Sequence, residues 1–147
     1  MLYFAVGETI AIFAIDKHKN HASMKQAIAT DKAPAAIGPY SQAIEAGNMI
    51  FVSGQLPVNP SDGLMADDVT AQTHQSIDNL EAILTQAGLS LDNVVKTTVF
   101  LADMSLFADM NAVYSSRFTA PFPARSAVAV RQLPKDALVE IEAIASR

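Results

Sequence analysis

The stretch RSAVAVRQLPKDALVEIEAIA, Arg125–Ala145, decides how this chain is read. It holds two runs rich in Val, Ile and Ala, Arg125–Gln132 and Leu138–Ala145, joined through Leu133-Pro-Lys-Asp136. Successive side chains of a strand point to opposite faces. If Lys135-Asp136 forms a two-residue loop, Arg131 stands opposite Glu140 and Ala129 opposite Glu142. One face of this hairpin then carries Arg125, Ala127, Ala129, Arg131, Glu140 and Glu142. The other carries Ser126, Val128, Val130, Val139, Ile141 and Ala143. The second face is apolar and needs a cover. The first is either a solvated surface with cross-strand ion pairs, which contribute little to stability, or the lining of a cleft.

Moving towards the N-terminus, the cover comes into view. Asp67 or Asp68 opens a helix that runs to about Ala87, with Val69, Ile77, Leu80 and Leu84 at helical spacing and Gly88 just past its end. A second helix is expected from an N-cap at Ser105 through Phe118, with Phe107, Asn111, Tyr114 and Phe118 on one side and Pro121 and Pro123 as its stop. Val94–Leu101 is β-branched and reads as a strand. Tyr40–Ala46 and Met49–Gln55 read as two more, turned at Gly47-Asn48. The order ββαβαββ predicts an α+β domain, a mixed sheet with two helices packed on one face.

Residues 24–147 form this domain, and residues 1–23 differ from it. Met1–Ile15 is apolar, too short to span a bilayer as a helix and interrupted by Glu8, and it lacks the basic start of a signal peptide. It reads as a strand or short hairpin, followed by the polar linker Lys17–Ser23. His18 and His21 lie in that linker with no third ligand in sight, so a metal site is not expected. The chain has no cysteine, which excludes a disulfide scaffold, a thiolate metal site and a cysteine nucleophile, and fits a reducing cytoplasm. Its formal net charge of −5 and the lack of a basic run argue against a nucleic-acid partner, whose phosphates must be met by Lys and Arg.

Six ordered blocks carry a resemblance. They are Ala33-Pro-Ala-Ala-Ile-Gly-Pro39-Tyr40-Ser-Gln42, Phe51-Val-Ser53-Gly54-Gln-Leu-Pro57, Val95-Lys-Thr-Thr-Val-Phe100, Phe122-Pro-Ala-Arg125-Ser126, Leu133-Pro-Lys-Asp136 and Val139-Glu140-Ile-Glu-Ala-Ile144. Together they closely resemble the RidA (YjgF/L-PSP) family of enamine/imine deaminases, over about Met24 to Arg147. The resemblance implies a chorismate-mutase-like fold, a homotrimer with sites between subunits, and no cofactor. It implies hydrolysis of 2-imino or 2-enamino acids, such as 2-aminoacrylate, to 2-keto acids and ammonia. By position it assigns carboxylate binding to Arg125 and water positioning to Glu140, and a pocket to Tyr40, Ser53, Gly54, Asn111 and Ala127. Many relatives carry Cys where this chain has Ala127, so any thiol role is lost here.

The residue types suit that chemistry. Arginine presents a planar, permanently charged fork to a carboxylate, and a nearby glutamate can orient water and accept its proton. Each residue also has a plainer reading. Glu140 could pair with Arg131, Asn111 could be a buried amide, Tyr40 an ordinary strand aromatic, and Ser53-Gly54 a bulge. Two other functions stay open: a keto-acid-binding regulatory trimer without turnover, and a ribonuclease or translation inhibitor. In the expected hairpin, Arg125 lies six residues beyond the partner of Glu140, roughly 20 Å along the strand at about 3.3 Å per residue. One small substrate cannot bridge that, so each site is expected to draw on two chains.

Overall fold

The computed structural model describes residues 25–147. The expectations for residues 1–23, including the apolar segment, the linker and its two histidines, lie outside the described residues. The elements are β1 (Gln26–Ile28), β2 (Ala43–Ala46), β3 (Met49–Gln55), α1 (Val69–Gln86), β4 (Val94–Leu101), α2 (Phe107–Arg117), β5 (Ala124–Ala129) and β6 (Val139–Ser146). They build one six-stranded mixed sheet in the order β1-β2-β3-β6-β4-β5. Among the described residues only β4 and β5 run parallel, and every other pair is antiparallel. The expected α+β class and mixed sheet hold, with the short β1 as an addition.

Several elements follow from their sequence almost residue by residue. The β2–β3 hairpin turns on Gly47-Asn48, with Ala46 opposite Met49 and Gly47 at φ +63°. Asp68 caps α1 by accepting from the Ala71 N–H, and Gly88 follows its end at φ +75°. The expected stripe Val69, Ile77, Leu80 and Leu84 is buried. The start of α2 differs. Asp103, not Ser105, caps a 3₁₀ turn over Met104–Leu106 by accepting from the Ser105 N–H, and α2 grows from that turn without a side-chain cap of its own.

The terminal hairpin does not form. β4 lies between β5 and β6, so Arg131 is not opposite Glu140; the residue beside Glu140 is Phe100 of β4. The helix between β4 and β5 returns the chain to the same end, so β5 can only run parallel to β4. The chain then steps over the end of β4. The Val130 N–H donates to Leu101 O and the Ala102 N–H to Leu138 O, one bond on each side of the crossing. Lys135 and Asp136 both take left-handed conformations, at φ 57° and 55°, within this crossover rather than in a tight hairpin loop. The faces change accordingly. Val139, Ile141 and Ala143 are core as expected, but on β5 it is Arg125 and Ala127 that turn inward, while Val128 is 46% exposed.

The core lies between the sheet and α1, and α1 buries amides as well as hydrocarbon. Gln72 accepts from the Leu138 N–H at 2.8 Å and donates to Ala66 O at 2.7 Å. Asn79, 1% exposed, donates to Leu56 O at 3.0 Å and Val58 O at 2.9 Å. Asn79 thus holds the loop that leaves β3. Asn79→Ala should strip both carbonyls of their donor and cost about 1–3 kcal/mol, read as a lower urea midpoint. Asn79→Asp, similar in shape but presenting acceptors to acceptors, should cost more than Asn79→Ala. Equal midpoints for all three proteins would refute this role.

Candidate active site

The site residues fall into two groups, and the sheet separates them. Arg125 belongs to the first. On β5 it lies beside Thr97 of β4, on the face that meets α2. Its Nη1 donates to Asn111 Oδ1 at 2.9 Å. Its Cζ sits 4.5 Å from the ring centroid of Tyr114 and 5.5 Å from that of Phe107. All three partners come from one side of α2, the 107, 111, 114 spacing of successive turns. The Tyr114 hydroxyl is hydrogen-bonded to Thr97 Oγ1 at 2.7 Å, and its ring stacks on Phe118 with centroids 4.3 Å apart. Burial raises the Tyr114 hydroxyl above the usual tyrosine range, against smaller opposing effects of the Thr97 hydrogen bond and the Arg125 charge. A hollow of about 420 Å³ opens beside this group, lined by Asn111, Tyr114, Ser115, Phe122, Pro123 and Arg125. Ala127 follows on the same face of β5, half-buried beside Val99, and offers only a methyl group.

Glu140 anchors the second group. β6 turns Val139 and Ile141 into the core, so Glu140 points to the other face. The β3–β6 register shifts between Val52 and Gln55, so Ser53 and Gly54 form a bulge. The Glu140 carboxylate occupies the space beside Gly54: a Cβ there would collide with Oε1. Glycine is therefore required for a close approach and not for an unusual φ. Burial, and secondarily the charge of Glu142, raises Glu140 above the ordinary glutamate range. The Ser53 hydroxyl donates to Ser41 O at 2.7 Å, which fixes the entry to β2. Tyr40 is 53% exposed and shares with Gly54 a hollow of about 350 Å³ that Ile37, Leu56 and Lys135 also line. Buried Gln42 sets this loop: its amide donates to Thr30 O, Ala33 O and Pro34 O and accepts from the Thr30 N–H.

The structure thus brings Arg125 to Asn111, and Glu140 to Gly54 with Tyr40 nearby. It does not bring Arg125 to Glu140 within one chain. Counted on β4, their neighbours Thr97 and Phe100 are three residues apart and point to opposite faces. The expected separation along a hairpin does not apply, because that hairpin does not form, but the two residues are separated all the same, by the sheet itself. Tyr114, Phe107 and Thr97 are the residues that sequence reasoning missed as neighbours of Arg125. Their one visible signal was the stripe that placed Phe107 and Tyr114 alongside Asn111.

Chemically, the first group could receive a carboxylate: its guanidinium is held on one side by an aromatic ring and at one N–H by an amide, with its other donors available. The second offers a carboxylate less acidic than usual, suited to accepting a proton. Among the described residues there is no cluster of three or more side chains able to hold a metal, and no helix long and apolar enough to cross a membrane.

Comparison with known proteins extends to nearly all of this domain. The family model for endoribonuclease L-PSP matches residues 30–147. The 2-iminobutanoate/2-iminopropanoate deaminase of Escherichia coli K12 is 56% identical over 127 residues, covering 84% of this chain and 99% of its own. The crystal structure of the YjgF gene product of E. coli has a TM-score of 0.81 at 56% identity, covering 83% of this chain and 98% of that one. E. coli TdcF, solved with bound serine, reaches the same TM-score at 47% identity, with 83% and 98% covered. With the bulged β3, the inserted β6 and the Arg125 strand all inside the matched region, the chain belongs to the endoribonuclease L-PSP family, that of the RidA and YjgF proteins.

Proposed function

We propose that the protein hydrolyses reactive 2-imino and 2-enamino acids, such as 2-aminoacrylate, to 2-keto acids and ammonia in the cytoplasm, at sites between the subunits of a homotrimer. The observation that carries this reading is the Arg125 receptor, fixed by Asn111 and Tyr114 beside an open hollow. Arg125 binds the substrate carboxylate and so fixes the adjacent C=N carbon, the positioning contribution to the rate. Once protonated, that imine is already electrophilic and asks for no cofactor. Water attacks the carbon and gives up a proton to Glu140. The proton passes to the nitrogen, the hydroxyl gives its own proton back to Glu140 as the C–N bond breaks, and the carbonyl forms as ammonia leaves. Asn111 orients Arg125, Tyr40 and Gly54 wall the pocket near Glu140, Ser53 holds the bulge, and Ala127 leaves room where a thiol would stand.

Four further facts support it. A similar protein is a 2-iminobutanoate/2-iminopropanoate deaminase, and TdcF binds serine, a small amino acid that carries the same carboxylate. The sheet face away from α1 leaves Phe51, Val95 and Val128 each 46% exposed, an apolar surface that a trimer would cover. Arg125 and Glu140 lie on opposite faces of one chain, so a site using both takes them from two chains. The family description names an endoribonuclease, but RNA phosphates favour cations that a chain of net charge −5 supplies poorly.

The direct test generates 2-aminoacrylate with a serine dehydratase and follows its decay with and without the protein. Faster decay is expected, and unchanged decay would overturn the proposal. Arg125→Ala should abolish turnover, and Arg125→Lys should fail badly, since a point charge does not replace a fork. If inactive Arg125→Ala and Glu140→Ala chains regain activity after subunit exchange, the site is shared; no recovery despite proven exchange rejects it.

Glu140→Gln should keep pyruvate binding while slowing turnover, by about 10²–10⁴-fold for a lost acid–base group. Its stability carries a sign that can be checked. A carboxyl raised above its ordinary value holds its proton in the folded chain at a pH where the unfolded chain has released it. Stability therefore falls as pH rises from the ordinary glutamate range through the raised value. Glu140→Gln should melt higher than the parent at neutral pH, and the gap should close below the ordinary glutamate range. A gap that widens on acidification would contradict it.

A further inference from the structure

The neighbourhood of Arg125 contains a device beyond the assigned site residues. Thr97 is both the strand neighbour of Arg125 and the hydrogen-bond partner of the Tyr114 hydroxyl at 2.7 Å. Thr97 is 0% and Tyr114 4% exposed, so that bond is shielded from water. The Phe118 ring stacks on the same tyrosine. Tyr114 is thus fixed at its hydroxyl by β4 and along its ring by α2, and its face carries the Arg125 guanidinium 4.5 Å from the ring centroid. A ring with this much constraint is more than packing, because the group resting on it is, among the described residues, the only charged one lining the hollow with Asn111, Ser115 and Phe122.

We propose that Tyr114 is a positioning residue for carboxylate recognition: locked by Thr97, its ring holds the Arg125 guanidinium so that the donors not used by Asn111 present to the hollow. The proposal deepens the deaminase reading and rests on it for the identity of the ligand. It also gives a reason for tyrosine in place of phenylalanine. The hydroxyl does not touch substrate; it anchors the ring to the strand beside the arginine.

An arginine on an aromatic face is stabilised by the ring quadrupole, and the effect grows when water is excluded. With Arg125 itself still present, a looser guanidinium weakens a carboxylate contact made in both ground and transition states, so KM should rise more than kcat falls. Tyr114→Leu should raise KM for the 2-imino acid, and Kd for pyruvate, by about 3- to 30-fold, with kcat changed about twofold or less. Tyr114→Phe keeps the face and should recover most of that loss. If Tyr114→Leu does not fold, phenylalanines with increasing fluorination at position 114 preserve shape while draining the ring of negative charge, and KM should climb with each fluorine. A flat series, or Tyr114→Phe as impaired as Tyr114→Leu, overturns the proposal.

A readout independent of turnover separates this proposal from the reaction it serves. In the free protein, NMR of the Arg125 Nε–H group reports rotation about the Nε–Cζ bond. Rotation should be slow in the parent and fast in Tyr114→Leu or the most fluorinated variant. Equal rates would overturn the positioning role even in an active enzyme. A parent that neither turns over 2-imino acids nor binds pyruvate would sink the deaminase reading, while the NMR comparison would still decide the role of Tyr114.

Discussion

A strand that is buried on one side must send every second residue to the other, and β6 imposes this constraint on the whole molecule. Lying between β3 and β4, it gives Val139, Ile141, Ala143 and Ala145 to the core and Glu140 and Glu142 to the opposite face. The register with β4 extends the same alternation to β5, where Arg125 must follow Thr97 inward. Arg125 and Glu140 are consequently held apart by the hydrogen-bonded sheet itself. No side-chain rotamer can bring them together within one chain. The cationic half gains an aromatic setting against α2, and the anionic half a partly desolvated place beside a backbone that has no side chain.

Buried amides then fix what hydrophobic contact leaves loose. Apolar burial is non-directional and would not by itself place a loop to within a hydrogen bond. Gln72 ties the start of β6 to α1, Asn79 ties the exit of β3, and Gln42 ties the approach to Tyr40. All three are buried. A buried amide left without partners is costly, so these side chains specify a single arrangement of the segments around Glu140 and Gly54.

Local pattern carried most of the elements and little of the topology. β3 and β4 could be read to the residue, and α1 to within one or two, because their apolar periods are long and their ends are marked by Asp68, Gly47 and Gly88. β1 is three residues long and leaves no period to detect. The hairpin expectation failed for a nonlocal reason: nothing between Arg125 and Ala145 encodes that another strand enters the gap. A clue was nevertheless present in the helix between Val94–Leu101 and Arg125–Gln132, since a strand–helix–strand run favours parallel neighbours. At the site, strand alternation offered Arg125 and Glu140 as a cleft lining and helical spacing placed Asn111 on a stripe, but the roles of all three came only through the resemblance. Tyr114 read as ordinary core because its role depends on a neighbour more distant in sequence, Thr97.

The central place of β6 also bears on the order in which the chain takes shape. Among the six strands of the described residues it comes last in sequence, yet it is hydrogen-bonded on both sides. As synthesis proceeds, β1 to β5 emerge with no partner for the inner edges of β3 and β4. A two-part sheet with such open edges is a template for pairing with any extended chain nearby. The fold can close only after Val139–Ser146 has left the ribosome. The nascent chain therefore depends on whatever shields those two edges until then.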